Sequence, residues 1–217
     1  MFNHIKMSLW VGCLSLLLPG VALAELSGEH IFNKGNGRGA DACNACHAVD
    51  GGGVLSIGTP RLAGLHAGYI EKQIKDFASG RRLHVQMKPI AKALSQAEME
   101  AVSKYLSGLP LPERKIKQSL PMADESVGAR LALRGRWEAN IPACIQCHAF
   151  NGGGVGASFP AISGQGAVYI ANQLNAWKNG ARDNDPIGLM RQIASKLSRE
   201  DIDSVAQWFG AQNATKN

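Results

Sequence analysis

The stretch CNACHAVDGGG, residues 43–53, recurs as CIQCHAFNGGG at residues 144–154. Zinc ribbons pair CxxC elements about 15–20 residues apart, whereas these two elements belong to separate copies of the motif. A thioredoxin-like dithiol normally sits in a βαβ context and needs no histidine after it. Simple disulfides would leave the histidines His47 and His148 without a role. The remaining interpretation is covalent attachment of haem c, for which CxxCH is the sequence signature.

The chemistry of haem attachment accounts for the spacing of the motif. Two thiols form thioether bonds to the porphyrin, and a histidine directly after the second thiol is close enough to bind the iron. The sequence therefore predicts two haem c groups, with His47 and His148 as proximal ligands of the iron. The predicted attachment residues are Cys43, Cys46, Cys144 and Cys147.

The repetition extends well beyond the cysteine motif. PRLAGLHAGYIEKQIKDFASGRR (60–82) aligns without a gap with PAISGQGAVYIANQLNAWKNGAR (160–182). MKPIAKALSQAEMEAVSKYL (87–106) then aligns with MRQIASKLSREDIDSVAQWF (190–209), after three extra residues in the second copy. The chain is an internal duplication.

Each copy shows helical periodicity, and no stretch alternates convincingly like a strand. Both copies open their last helix with a capping-box pattern, Ser95 with Glu98 and Ser198 with Asp201. Units of this size are small for a self-sufficient core, and a bound haem would give each of them an apolar centre. We therefore predict an all-α fold of two tandem units, each wrapped around one haem.

The sixth iron ligand separates a carrier from a catalyst, because Met/His coordination suits electron transfer and an open position suits small-molecule chemistry. The only methionine after the motif in the second copy is Met190, and it aligns with Met87. Met99 aligns with Ile202, which indicates a core position. We predict Met87 and Met190 as distal ligands. The alternatives are methionines packed on apolar surface and, in the first copy, ligation by His84.

The first 24 residues have the pattern of a secretory signal peptide. Lys6 precedes an apolar run at 7–18, and Ala22-Leu23-Ala24 forms a small-x-small cleavage site. We predict cleavage after Ala24 and export to the periplasm. An uncleaved membrane anchor is the alternative, although the apolar run falls short of the roughly 20 residues that a spanning helix needs.

The remaining chain divides into an N-terminal unit (25–108), a linker (109–121) rich in proline and basic residues, and a C-terminal unit (122–217). The net charge of +6 is mild and spread out, without a run of five like charges. Nucleic acid is therefore not a predicted partner.

These motifs carry a family resemblance. CxxCH, a following Pro-x-x-x-Gly segment and a methionine farther along resemble class I cytochrome c. Two such units in one exported chain are similar to the dihaem cytochrome c4 family. The resemblance implies two small helical cytochrome domains, haems near the domain interface, and electron transfer in the periplasm toward a terminal oxidase.

The resemblance also implies roles for further residues. Pro60 and Pro160 would offer the backbone carbonyl that orients each proximal histidine. Arg82 and Arg182 are candidates for contacts to the haem propionates, with an exposed, solvated arginine as the alternative. The glycine runs at 51–53 and 152–154 would let each loop pass close to the macrocycle.

The leading hypothesis is a periplasmic carrier, not an enzyme, that shuttles electrons between respiratory-chain donors and a terminal oxidase or reductase. The first alternative is a dihaem electron-transfer subunit of a periplasmic dehydrogenase, for example one that oxidises sulfide or thiosulfate. The third hypothesis is a dihaem peroxidase, which requires an iron without a protein sixth ligand. The expected partners are redox proteins, with peripheral association with membrane complexes left open.

Overall fold

The computed structural model describes residues 26–113 and 124–215. Within these ranges there are helices and three isolated β-bridges but no strands, which confirms the all-α prediction. The first unit contains α1 (Gly28–Lys34), α2 (Asn44–His47), α3 (Ala67–Ser79), α4 (Met87–Lys92) and α5 (Gln96–Gly108). The second contains α6 (Val127–Leu133), α7 (Ile145–His148), α8 (Ala167–Lys178), α9 (Leu189–Lys196) and α10 (Arg199–Gly210).

The two units repeat one packing scheme. In the first, α1 and α3 pack against α5, and α3 also packs against α4; in the second, α6 and α8 pack against α10, and α8 also packs against α9. The first and last helices of each unit cross at a glycine. A Cβ on Gly28 would lie 2.1 Å from the Ala101 carbonyl oxygen, and one on Gly128 would lie 2.3 Å from the Ser204 carbonyl oxygen. No larger residue fits either crossing without displacing the partner helix.

Both predicted capping boxes form, and each is tied to the loop that precedes the CxxCH motif. Ser95 and Glu98 exchange side-chain to backbone hydrogen bonds at the start of α5, and Arg38 binds the Glu98 carboxylate at 2.5 Å. In α10 the equivalent box is formed by Ser198 and Asp201. Asp201 receives two hydrogen bonds from Arg136, at 2.5 and 3.0 Å. The last helix of each unit thus anchors the segment that leads into the motif.

Met99 lies in the hydrophobic core of the first unit and is 7% exposed. Its counterpart Ile202 lies in the core of the second unit. The core position predicted for Met99 from the internal alignment is confirmed.

Some predicted features fall outside the described ranges. The signal peptide (1–24) does so entirely, and only 109–113 of the linker is described. Helix α5 ends at Gly108, immediately before that predicted linker. Among the helices of the described residues, none is long and apolar enough to cross a membrane.

Candidate haem sites and the interface between the units

The first cysteine of each motif sits immediately before a short helix that ends on the histidine. Cys43 precedes α2 and Cys144 precedes α7, and no disulfide joins the four motif cysteines. Burial raises the pKa of Cys43 to about 11 and that of Cys144 to about 12. A redox-active dithiol depends on a lowered thiol pKa, and Cys43 and Cys144 show a shift in the opposite direction.

Both motif histidines are buried and held by a backbone carbonyl from the predicted proline. Nδ1 of His47 lies 3.0 Å from the Pro60 oxygen, and Nδ1 of His148 lies 2.7 Å from the Pro160 oxygen. Burial lowers the pKa of both rings, although the hydrogen bond to the carbonyl opposes the shift. A neutral imidazole that donates from Nδ1 keeps the lone pair of Nε2 for a metal. The arrangement is the one expected for a proximal iron ligand.

The glycine-rich loop after each histidine runs against the proline segment. A Cβ on Gly53 would lie 2.5 Å from the Thr59 oxygen, and one on Gly154 would lie 2.5 Å from the Ala161 nitrogen. The N–H groups of the two glycines also donate to the backbone carbonyls of His47 and His148. The structure gives these two glycines a packing role, and close passage along a macrocycle stays a prediction. They let the loop approach the backbone that orients the histidine.

The predicted distal methionines begin equivalent helices. Met87 is the first residue of α4 and packs half-buried against the first core, and the half-buried Met190 is the second residue of α9. The Met87 N–H donates to Nδ1 of His84 at 3.3 Å, and the Met190 N–H donates to the Asp185 carboxylate. His84 is exposed, and its Nδ1 accepts this helix-start hydrogen bond. Met87 and Met190 thus occupy equivalent positions at the start of the fourth helix of each unit, and their ligation of iron stays a prediction.

The apolar surface of the described chain has the distribution that haem binding requires. Exposed large apolar side chains cluster in the segments that follow each histidine and precede each methionine. They are Val49, Val54, Ile57, Leu83 and Val85 in the first unit, and Phe150, Val155, Val168 and Ile187 in the second; Trp137, which precedes the second motif, is also exposed. A large planar apolar group bound between histidine and methionine would cover such side chains, so the residues present fit a haem. Among the described residues, no group of three or more His, Cys, Asp or Glu residues is arranged to hold a metal ion.

Arg82 and Arg182 are buried between the two units, so the exposed alternative is wrong. Each is only 7% exposed, and their backbones form an antiparallel bridge. Arg82 donates to Gln73 at 2.9 Å within its own unit and, across the interface, to the Tyr169 hydroxyl at 2.9 Å and Gln173 at 2.7 Å.

Arg182 makes the reciprocal contacts to the two glutamines. It donates to Gln173 at 2.8 Å within its unit and to Gln73 of the other unit at 3.0 Å. Its Nε donates to Asn184 at 2.9 Å. The sequence did not predict these contacts: the internal alignment makes Gln73 and Gln173 equivalent but does not show that they lie at the interface. Because the arginine and the glutamine are both duplicated, each arginine hydrogen-bonds the glutamine of the other unit across a twofold-like contact.

The two buried guanidiniums act on the hydroxyl of Tyr169. Burial alone would raise the pKa of the Tyr169 hydroxyl, but the charges of Arg82 and Arg182 hold it below its usual value. The buried carboxylate of Asp76 is already paired with Lys72. An anionic group placed near the two guanidiniums would therefore be stabilised.

The family model for cytochrome c matches residues 28–110. The chain is 32% identical to cytochrome c4 of Pseudomonas aeruginosa, across 90% of this chain and 94% of that protein. The chain belongs to the dihaem cytochrome c4 family. This dihaem cytochrome is also 48% identical to the thiosulfate dehydrogenase electron acceptor of Stutzerimonas stutzeri strain A1501, over 91% of each chain.

Two solved structures resemble this dihaem cytochrome closely. Reduced recombinant cytochrome c4 from Pseudomonas stutzeri superposes with a TM-score of 0.68 at 32% identity, over 79% of this chain and 93% of the other. Thiosulfate dehydrogenase (TsdBA) from Marichromatium purpuratum superposes with a TM-score of 0.77 at 37% identity, over 85% of this chain. The chain spans 39% of that longer chain. The tandem cytochrome c fold and the two haem c cofactors predicted from the sequence are confirmed, and the family is one of dihaem electron carriers.

Proposed function

We propose that this dihaem cytochrome is exported to the periplasm, accepts electrons one at a time from a thiosulfate dehydrogenase, and passes them to a downstream oxidase or reductase. The observation that carries the proposal is the high identity, over nearly the whole of both chains, to a relative named as the electron acceptor of that enzyme. A second relative of the same name, from Thiomonas intermedia, supports it.

The residues proposed to hold the haems are those that the duplication pairs. Cys43 and Cys46 would bind the first haem covalently, with His47 and Met87 as axial ligands. In the second unit the same roles fall to Cys144, Cys147, His148 and Met190. When bound, each haem supplies a reversible one-electron couple.

Residues of the chain would set the redox potential of each haem, both at the proximal histidine and at the propionates. The Pro60 and Pro160 carbonyls fix the histidine rings and increase their basicity. The buried guanidiniums of Arg82 and Arg182 would stabilise the haem propionates through charge, and they also hydrogen-bond Gln73, Gln173 and Tyr169. Methionine ligation at both irons would leave no open coordination position, which favours a carrier over a peroxidase.

The second candidate function is a subunit permanently bound to the dehydrogenase. It is favoured by the superposition on part of a longer thiosulfate dehydrogenase chain. Carrier and subunit share the same haem chemistry and differ in the lifetime of the complex. Size-exclusion chromatography of the native protein separates the two, because a subunit elutes with the enzyme and a carrier elutes alone.

The proposal is tested by mixing the oxidised holoprotein anaerobically with a thiosulfate dehydrogenase and thiosulfate in a stopped-flow spectrometer. We expect reduction of both haems, and no reduction when either thiosulfate or the enzyme is omitted. Failure of the enzyme to reduce the protein would overturn the proposed donor. High-spin haem with peroxide turnover by the isolated protein would instead support the peroxidase alternative.

Two measurements on the purified protein test the supporting assignments. Intact mass should show two covalently bound haems per chain. N-terminal sequencing of the periplasmic fraction should begin at Glu25, the residue after the predicted cleavage site. Retention of residues 1–24 in the membrane fraction would show the anchor alternative.

A further inference from the structure

Gln165 of the second unit holds the backbone of Arg61 in the first. Its Oε1 accepts from the Arg61 N–H at 2.8 Å, and its Nε2 donates to the Arg61 carbonyl at 3.0 Å. Both residues are buried. The Arg61 side chain adds a further contact between the units, because its Nη2 donates to the Ser163 carbonyl at 3.2 Å. Arg61 is thus fixed by the second unit through its N–H, its carbonyl and its guanidinium.

The N–H of Arg61 and the C=O of Pro60 belong to one planar peptide group. The oxygen of that group accepts from His47 Nδ1 at 3.0 Å, and its N–H donates to Gln165 at 2.8 Å. Hydrogen bonds in series polarise one another, so donation at the N–H makes the carbonyl a stronger acceptor. The contact from the second unit therefore strengthens the hydrogen bond that orients His47.

The second unit has no equivalent arrangement. The internal alignment places Leu65 opposite Gln165 and Ala161 opposite Arg61. A leucine side chain cannot accept from a backbone N–H, and Leu65 is instead buried in an apolar cluster that also includes Ala161. The effect on the histidine therefore acts in one direction only, from the C-terminal unit onto the N-terminal one.

We propose that Gln165 is a positioning residue through which the C-terminal unit lowers the redox potential of the N-terminal haem, an inference that rests on His47 being the proximal ligand. A stronger acceptor at Nδ1 makes the imidazole a better electron donor, and a better donor favours oxidised iron. Loss of the Gln165 contact raises the potential of that haem alone. By linkage, reduction of the N-terminal haem weakens the contact between the units by the same free energy.

The test replaces Gln165 with leucine, the residue that the first unit carries at the aligned position, and with methionine, which is unbranched and of similar length. Potentiometric titration of the two-haem protein measures both midpoints. A Met190→His variant, expected to lower the midpoint of the C-terminal haem, assigns which midpoint belongs to which unit. Asn184→Ala is the matched control, since Asn184 also crosses the interface but does not hydrogen-bond Arg61.

We expect both Gln165 variants to raise the midpoint potential of the N-terminal haem and to leave that of the C-terminal haem unchanged. Both should also change the NMR shift of the His47 Nδ1 proton. The control should not reproduce this pattern. Equal shifts of both midpoints, no shift, or the same pattern in Asn184→Ala would overturn the inference. Wild-type protein with fewer than two low-spin haems would instead contradict the proposed ligation itself.

Discussion

The side-chain amide of Asn184 donates to the carboxylate of Asp76 in the other unit at 2.6 Å. The same Nδ2 donates to Gln73 at 2.9 Å, and Oδ1 accepts from Arg182 at 2.9 Å. The backbone carbonyl of Asn184 accepts from Lys72 at 2.8 Å. Asn184 lies in the segment lengthened by three residues in the second copy. This three-residue insertion in the second copy therefore supplies a buried contact between the units.

Replacing Asn184 with alanine should destabilise the protein by about 1–3 kcal/mol, because it leaves buried polar partners without their hydrogen bonds. Denaturant unfolding of the holoprotein measures the loss. The control is Asn175→Ala, which removes an exposed asparagine on α8 and should change the free energy of unfolding by less than about 0.5 kcal/mol. Equal effects of the two substitutions would show that the interface contact contributes nothing of its own.

Met87→Leu and Met190→Leu should each abolish methionine ligation at one haem and leave the other haem unchanged. The measurement is the sulfur-to-iron charge-transfer absorption of the oxidised protein, which should fall by about half in each variant if the two sites contribute equally. Met99→Leu is the matched control, because Met99 is buried in the core. It should keep the full absorption and cost less than about 1.5 kcal/mol of stability. Unchanged absorption in Met87→Leu would show that Met87 is not a ligand and would favour ligation by His84.

The cofactors and their ligand candidates could be predicted from the sequence because haem attachment uses contiguous residues and because the duplication aligned Met87 with Met190. The interface between the two units could not be predicted in this way. The contacts of Arg82 with Tyr169 and of Arg61 with Gln165 join residues from opposite halves of the chain. Periodicity and motif spacing report local structure only, and an internal alignment shows which positions are equivalent, not which ones touch. The burial of Arg82 therefore emerged only from the packing of the two units.

Acid should weaken the second unit through Asp201. Burial alone would raise the pKa of this carboxyl, but hydrogen bonds from Arg136 and Ser198 outweigh it and hold the pKa below its usual value. A depressed pKa contributes stability that is complete above the unfolded value of about 3.9 and is lost as the pH falls through the lower folded value. Asp201→Asn should therefore reduce stability at neutral pH and flatten its decline below about pH 4.

The pH series is measured by chemical denaturation of the holoprotein, with Asp203→Asn as control. Asp203 lies on the same helix but is half-exposed, and its contact with Arg199 is a surface pair at 3.8 Å. Such pairs contribute about 0–1 kcal/mol, so the control should keep the wild-type pH profile. A wild-type profile in Asp201→Asn as well would mean that the capping carboxylate does not govern acid stability.

Gly128→Ala should destabilise the second unit by about 1–3 kcal/mol, the usual cost of overpacking a tight contact. The added methyl group would meet the Ser204 carbonyl at 2.3 Å, so α6 and α10 must separate. Gly108→Ala is the matched control, since a Cβ there meets nothing within 4 Å, and it should be neutral or slightly stabilising. Thermal unfolding monitored by far-UV circular dichroism compares the two. If Gly128→Ala is as stable as Gly108→Ala, the helices are not held together at this glycine, and the crossing geometry described for α6 and α10 is wrong.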